Sequence, residues 1–224
     1  MAQHSPSCLS RKNLKYMHSA YPNLATEEHR RKDLREVVPV IPADCFFGNG
    51  LLPDLRPGIN VKLWQNSSRQ LLQHEDEVLA VWPRIIDEII EASGVDRSEA
   101  TLTFECNPSG IIHWYSRNNH SRPDCVGRLS SASGDFYERQ WTDVAVPGEF
   151  KKANTLDGLR DDTTKVIRSM RHIMREDPRR RFVFGFTIEQ CQMRLWLVSR
   201  SDVLVSFAID VHKHHRRVIE FFLR

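Results

Sequence analysis

The chain has 224 residues, and 40% of them are hydrophobic, which is enough for one sizeable domain with a packed core. Its 32 basic and 29 acidic residues give a formal net charge of +3, which excludes a strongly basic protein that coats nucleic acid. No apolar run reaches the roughly 18 residues of a membrane span, and the amino terminus has no apolar run typical of a signal peptide.

Cysteine usage indicates a reducing compartment. The five cysteines are scattered, none forms a C-x-x-C pair, and an odd number cannot all pair within one chain. They are Cys8, Cys45, Cys106, Cys125 and Cys191. We therefore expect reduced thiols and a soluble intracellular protein of the cytoplasm or nucleus.

Residues 1–40 are rich in polar and basic side chains and predict a flexible tail with one short charged helix over 26–37. Residues 41–224 predict a single α/β domain. Its first long helix is expected over 74–93, where apolar residues recur at steps of three and four and Gly94 supplies a stop. Pro83 lacks a backbone donor, so we expect a kink or a break near it.

A second helix is predicted over 161–176, with Asp161 as its N-cap and Asp177-Pro178 at its end. The side chains expected to face inward are Val166, Met170, Ile173 and Met174. A last helix begins at 218, and the chain stops at Arg224 before a normal C-cap, which suggests a truncation or a fragment.

Runs of alternating or β-branched and aromatic residues predict the strands. These runs span 101–105, 111–115, 125–129, 142–151, 181–188, 193–199 and 203–209. We expect the first two to pair as a hairpin and the last three to form a meander. The fold class is therefore α+β (α/β), with a central mixed β-sheet flanked by helices.

The back half of the chain carries five strings that resemble one protein family. They are V-A-V-P-G-E-F-K-K at 144–152, preceded by Trp141, D-P-R-R-R-F-V-F-G-F-T-I at 177–188, M-R-L-W at 193–196, S-R-S-D-V-L-V-S at 199–206 and I-E-F-F-L at 219–223. In this order they resemble the region upstream of the catalytic domain in fungal-type protein kinases of mushroom-forming fungi. The sequence departs from the family pattern at 207–210.

The resemblance does not extend to kinase catalysis. A protein kinase needs a β3 lysine, a catalytic-loop aspartate with its asparagine, and a magnesium-binding aspartate. The sequence contains no H-R-D string, and Ser133-Gly134-Asp135-Phe136 is not D-F-G. Family membership therefore implies an accessory or regulatory module that binds a kinase domain or another protein partner.

A shorter pattern, P-D followed by E-x-K, lies inside the same segment. Asp124 opens one predicted strand, and Glu149 and Lys151 lie two residues apart on another, so these two side chains share a face. This pattern, together with the order helix, three strands, helix, strand, resembles the restriction-endonuclease-like nuclease core. The resemblance implies a magnesium ion held by Asp124 and Glu149, which polarises a phosphodiester, and a Lys151 that stabilises or activates the nucleophile.

Two alternatives stay open for this pattern. Motifs this short arise by chance, and two carboxylates with a lysine commonly form an ion-pair cluster without catalysis. Glu77 on the first long helix is a further candidate ligand, although nothing local favours it over Glu75 or Glu88.

Other groups of residues are weaker candidates. A solvated loop explains His212, His214 and His215 better than a metal site does, because no Cys or acidic partner lies at ligand spacing. A stretch rich in arginine could bind phosphate, either of nucleic acid or of a protein partner. Acidic residues are interleaved with these arginines, so a mixed solvated surface is an equally good interpretation. The arginines of this stretch are Arg168, Arg171, Arg175, Arg179, Arg180 and Arg181. Cys125 has no paired histidine in sequence context that would make it a nucleophile.

Three functions follow, ranked from the sequence in this order: an accessory module without catalysis, a magnesium-dependent nuclease, and a remnant without activity. The first needs no cofactor, and the second needs Mg²⁺. The five tryptophans are expected to anchor the core or an interface rather than to stack on bases. They are Trp64, Trp82, Trp114, Trp141 and Trp196.

Overall fold

The computed structural model describes residues 38–48, 51–55, 57–59, 75–96, 100–106, 123–130, 140–151 and 155–224, without the side chains of 75–81. The expected tail helix over 26–37, the strand over 111–115, Trp64, Trp114 and the side chain of Glu77 lie outside the described residues. The division into a tail and one domain therefore stays a prediction.

Eight strands of the described residues form one mixed sheet. They are β1 (Val40–Ile41), β2 (Leu102–Cys106), β3 (Cys125–Leu129), β4 (Val144–Lys151), β5 (Phe182–Glu189), β6 (Gln192–Ser199), β7 (Val203–Ser206) and β8 (Ile209–Asp210). Their order is β1-β7-β6-β5-β4-β3-β2, and β8 also pairs with β6. The pairs β1–β7 and β4–β5 are parallel, and the others are antiparallel.

Helices cover both faces of this sheet. They are α1 (Asp44–Gly48), α2 (Glu75–Ser93), α3 (Leu156–Glu176) and α4 (His215–Leu223), and a 3₁₀ turn at Trp141–Asp143 precedes β4. Side chains of α1, α2 and α4 form one apolar core with the sheet, and those of α3 form a second core on the opposite face. The predicted class, a central mixed sheet flanked by helices, is confirmed.

The helix α2 agrees closely with the expected range of 74–93. Its buried side chains include Trp82, Ile86 and Ile89, and Gly94 ends it with a φ of 78°, a backbone conformation that glycine adopts without strain. Pro83 lies inside the helix, which continues through it. A break at Pro83 is therefore absent, and the alternative, a kink, stays a prediction.

The expected start of α3 was wrong. The helix begins at Leu156, and its N-cap is Thr155, whose hydroxyl accepts a hydrogen bond of 3.1 Å from the N–H of Gly158. The sequence pattern did not predict a helix start at Thr155, because Gly158 and the neighbouring polar residues weaken the helical pattern. Asp161 lies in the second turn of α3, and the inward-facing residues were predicted correctly.

The last third of the chain forms the expected meander β5-β6-β7, joined by two antiparallel pairings. The predicted strand over 203–209 is divided, because β7 ends at Ser206 and the separate strand β8 pairs with β6. The final helix begins at His215, three residues before its expected start. Among the described residues, the order of elements from α2 to β5 is one helix, three strands, one helix and one strand, which is the order named in the resemblance to the nuclease core.

Candidate functional site

The pairing of two antiparallel strands brings the P-D and E-x-K motifs together. The register places Cys125 of β3 opposite Gly148 of β4, so the residue before β3 lies beside the carboxyl-terminal end of β4. There the Oδ2 atom of Asp124 accepts a hydrogen bond of 2.9 Å from the backbone N–H of Phe150. The carboxylate of Asp124 is thereby held next to the residue that follows Glu149.

Lys151 projects from the same face of β4 as Glu149 and meets α3. Its Nζ atom lies 3.1 Å from Oδ2 of Asp161 and 3.9 Å from Oδ1 of Asp162. Lys165, one turn further along α3, lies 3.1 Å from the same Oδ2 atom of Asp161. Asp161 therefore joins two lysines, a role unlike the helix cap that the sequence predicts for it.

The parallel pairing of β4 with β5 adds a further carboxylate. Lys151 and Glu189 are register partners, and Glu189 is fully buried. Arg194 on β6 forms an ion pair with Oε2 of Glu189. Glu189 also acts on Asp162 of α3, because its negative charge raises the pKa of the Asp162 carboxyl.

We call these linked residues the acid cluster. Its members are Asp124, Glu149, Lys151, Asp161, Asp162, Lys165, Glu189 and Arg194. Five of them are acidic and three are basic, so full ionisation leaves an excess of two negative charges. Such an excess is costly in a poorly solvated site unless protons or a cation neutralise it.

The pKa values of the buried carboxyls are shifted upward accordingly. Burial raises the pKa of Glu149 well above its usual value, and the negative charge of Asp124 raises it further against the opposing charges of Lys165 and Lys151. Burial and Glu189 raise the pKa of Asp162 to about 8. Burial also raises the pKa of Glu189, which Arg194 partly offsets. By contrast, hydrogen bonds from Lys151 and Lys165 lower the pKa of Asp161 despite its burial.

Several of these carboxylate oxygens have no hydrogen-bond partner in the protein. They are Oε2 of Glu149, both oxygens of Asp162 and Oε1 of Glu189. The side chains that carry them are 1% exposed or less. An unpaired buried carboxylate oxygen is strongly unfavourable, so a proton or a cation at these oxygens would stabilise the cluster.

The donor set suits a hard divalent cation. Carboxylate oxygens are the ligands that Mg²⁺ prefers, and this ion is commonly held by one or two carboxylates while waters fill its remaining positions. Within the described ranges, no group of three or more His, Cys, Asp and Glu residues is arranged to hold a metal ion. A site formed by Asp124 and Glu149 alone would have only two protein carboxylates, so waters would have to supply the other ligands.

Sequence patterns could not identify Asp162, Lys165 and Glu189 as members of the site. Asp162 was visible only as an acid interleaved with arginines, and Glu189 directly follows a predicted strand. The available signal was a charged residue, Asp162, in the helix that crosses from β4 to the parallel strand β5 and buries one face on the sheet. Glu189 carries a similar signal, because it is a charged residue at the end of β5, a strand that is buried on both faces.

The remaining sequence candidates have structural surroundings of their own. The rings of His212 and His215 lie 6.5 Å apart, and no metal-binding group involves them among the residues described. Arg180 donates to the backbone oxygens of Val144 and Thr142 at 2.6 Å, so its guanidinium braces the start of β4. Burial raises the pKa of Cys125, which disfavours the thiolate that a nucleophile needs.

Comparison with known families gives one match. The model of the family described as fungal protein kinase matches residues 126–224. The match covers less than half of the 224-residue chain. The matched segment begins in β3 and contains the whole acid cluster except Asp124. No curated protein and no solved structure was found to match the chain.

The matched segment forms no two-lobed kinase fold among the residues described. From Val126 onward it supplies most of the central sheet together with α3 and α4. In the described part of the chain, no helix is long and apolar enough to cross a membrane.

Proposed function

We propose that the acid cluster binds a divalent cation and cleaves phosphodiester bonds of nucleic acid, in a chain of which residues 126–224 match the fungal protein kinase family. The observation that carries this proposal is that the buried carboxylates of Glu149, Asp162 and Glu189 have oxygens without a hydrogen-bond partner, in a cluster of five acidic and three basic residues. A divalent cation supplies two positive charges that would balance the excess of acidic residues. Sequence patterns alone rank this function second, and we rank it first because the buried carboxylates support it.

Asp124 and Glu149 would hold the cation. Mg²⁺ bound there would supply Lewis-acid polarisation of a phosphoryl oxygen. Lys151 shares a face of β4 with Glu149, so its ammonium group is suited to stabilise the negative charge that develops on the phosphate. Asp161 is a positioning residue, because its carboxylate lies 3.1 Å from the Nζ atom of Lys151 and keeps that side chain against α3.

Exposure supports an approach of the substrate along the edge formed by β4 and α3. The side chains of Lys151 and Asp161 are 21% and 28% exposed, whereas Glu149 and Asp162 are buried behind them. A phosphate is therefore expected to meet Lys151 first. Nucleic-acid contact at one such edge agrees with the small net charge of the chain.

Topology gives further support. The helix α2 precedes the strands β2, β3 and β4, the helix α3 then crosses to β5, and β5 lies parallel to β4. This order is the one that the resemblance to the restriction-endonuclease-like core implies. The two acidic motif residues lie where β3 begins and where β4 ends.

The test combines cleavage with cation binding. Wild-type protein is incubated with plasmid DNA, single-stranded DNA and RNA, with Mg²⁺ or Mn²⁺ and with EDTA. We expect cleavage that EDTA abolishes, a loss of at least 100-fold in Asp124→Asn and Lys151→Met, and no change in Asp157→Asn, whose side chain is 95% exposed. Mg²⁺ is also expected to raise the melting temperature of the wild type but not that of Asp124→Asn.

Wild-type protein that cleaves none of these substrates would contradict the nuclease function. A melting temperature that rises with Mg²⁺ in the same preparation would still support the cation site alone. If both readouts are negative, the acid cluster is a protonated structural cluster.

A non-catalytic module of the kinase family is the second candidate. One observation favours it: residues 126–224 match the family, while the chain contains neither an H-R-D nor a D-F-G string. In this case the protein binds a kinase domain inside the cell, in the cytoplasm or nucleus, and turns over neither ATP nor DNA. Titration of the chain with a catalytic domain of the same family checks this, and complex formation that survives Asp124→Asn is expected.

A further inference from the structure

Two cysteines face each other across the first antiparallel pair of the core. The register makes Cys106, the last residue of β2, the direct partner of Cys125, the first residue of β3. Their Sγ atoms lie 2.6 Å apart, although the residues are 19 positions apart in sequence. No atom separates the two sulfurs, and both residues are free thiols in this structure.

The backbone at this point already has the dimensions of a disulfide. Directly opposed residues of an antiparallel pair have Cα atoms about 4.5–5.5 Å apart, and disulfides accept Cα separations of about 4.4–6.8 Å. A bond between Cys106 and Cys125 therefore requires side-chain rotation rather than a shift of either strand. This distinguishes the pair from cysteines that oxidise only after local unfolding.

We propose that Cys106 and Cys125 form a reversible redox pair, which a hydroperoxide converts into a cross-strand disulfide. Cys106 is the residue that meets the oxidant, because it is partly exposed whereas Cys125 is completely buried. Cys125 is the resolving residue. Burial keeps it as a thiol until a reactive sulfur appears beside it.

The chemistry balances with hydrogen peroxide as the oxidant. The thiolate of Cys106 attacks one oxygen of the peroxide, the O–O bond breaks, and a sulfenic acid and one water form. The sulfur of Cys125 then attacks the sulfenic sulfur, the S–O bond breaks, and the thiol proton leaves with the second water. Two thiols and one peroxide thus give one disulfide and two waters, and two electrons pass from the sulfurs to the peroxide.

The bond would connect two elements of the core. It would join β2, the outermost of the described strands on its side of the sheet, to the strand that begins directly after Asp124. A covalent link of this kind restricts the unfolded chain more than the folded one. Oxidised protein is therefore expected to melt at a higher temperature than reduced protein.

Peptide mapping of the full chain tests the proposal. Reduced protein is treated with hydrogen peroxide, remaining thiols are alkylated, and peptides are analysed without reduction. We expect a peptide pair linked through Cys106 and Cys125 in the wild type and in Cys191→Ser, its absence in Cys106→Ser, and its reversal by dithiothreitol. The melting temperature should rise on oxidation of the wild type and stay unchanged in Cys106→Ser.

Two outcomes would overturn the proposal. One is full alkylation of Cys106 and Cys125 after peroxide treatment of folded protein. The other is a disulfide that joins either residue to Cys45 or Cys191 in place of the expected pair. Neither result depends on nuclease activity or on cation binding. The experiment therefore tests the redox pair independently of the proposed function.

Discussion

The carboxylate of Asp124 accepts a hydrogen bond of 2.9 Å from the backbone N–H of Phe150, and this bond ties the entry of β3 to the end of β4. The contact gives Asp124 two separable properties. Its oxygen satisfies a backbone donor, and its negative charge raises the pKa of the neighbouring Glu149. Substitutions that remove one property and keep the other distinguish structure from function.

Asp124→Ala is expected to lower the free energy of unfolding by about 1–3 kcal/mol, because the N–H of Phe150 loses its acceptor. Asp124→Asn keeps an acceptor oxygen and is expected to cost less than about 1 kcal/mol. Urea unfolding of both variants checks this. Equal losses in the two variants would show that the charge, rather than the hydrogen bond, stabilises this corner of the sheet.

Stability should decrease with rising pH through the titration of Asp162. The pKa of this carboxyl is raised from 3.8 to about 8 in the folded chain, so the folded state binds more protons than the unfolded state between these values. The free energy of unfolding therefore falls as pH rises through this window, by at most about 1.4 kcal/mol per pH unit from this group. Above the folded pKa, the contribution of Asp162 to the free energy of unfolding no longer changes with pH.

Asp162→Asn removes this titration, so its stability should depend less on pH than that of the wild type across the same window. Urea unfolding at several pH values measures both slopes, and Asp157→Asn serves as the exposed control. Identical slopes in the wild type and Asp162→Asn would show that Asp162 is not protonated in the folded protein. Saturating Mg²⁺ should flatten the wild-type slope if the acid cluster binds the cation.

Gly148→Ala should destabilise the protein by about 1–3 kcal/mol, because the added methyl group would collide with the ring of Phe186 on the parallel strand. Gly48→Ala is the matched control, since a Cβ atom at that position meets nothing within 4 Å. Thermal unfolding of the two variants compares them. A neutral Gly148→Ala would mean that the Phe186 ring moves aside freely.

Arg180 is expected to stabilise the fold rather than to bind phosphate. Arg180→Met removes two hydrogen bonds of 2.6 Å to the backbone oxygens of Val144 and Thr142 and should cost about 1–3 kcal/mol. Arg179→Met should change stability by less than about 0.5 kcal/mol, because its side chain is 91% exposed. Chemical denaturation measures both, and a filter-binding assay with DNA shows whether either arginine contributes to nucleic-acid affinity.

The local sequence pattern was sufficient to predict most of the helices and strands that the structure describes. The period of apolar residues located α2 within one residue at its start, and the predicted bounds of β3 agree with the observed ones. The N-cap of α3 was misplaced because Gly158 interrupts the first turn of the helix. The hairpin partner expected for β2 lies outside the described residues, and its described partner is β3.

The sequence by itself determined the helices, the strands and the fact that Glu149 and Lys151 share a face, because these properties depend on spacing along the chain. Only the tertiary structure decided which residues meet that face. Asp162 and Glu189 reach it through a helical crossover and a parallel strand pairing, and spacing along the chain carries no information about such neighbours. The charge balance of the acid cluster is therefore a property of the assembled sheet, since it depends on residues that are distant in sequence and close in space.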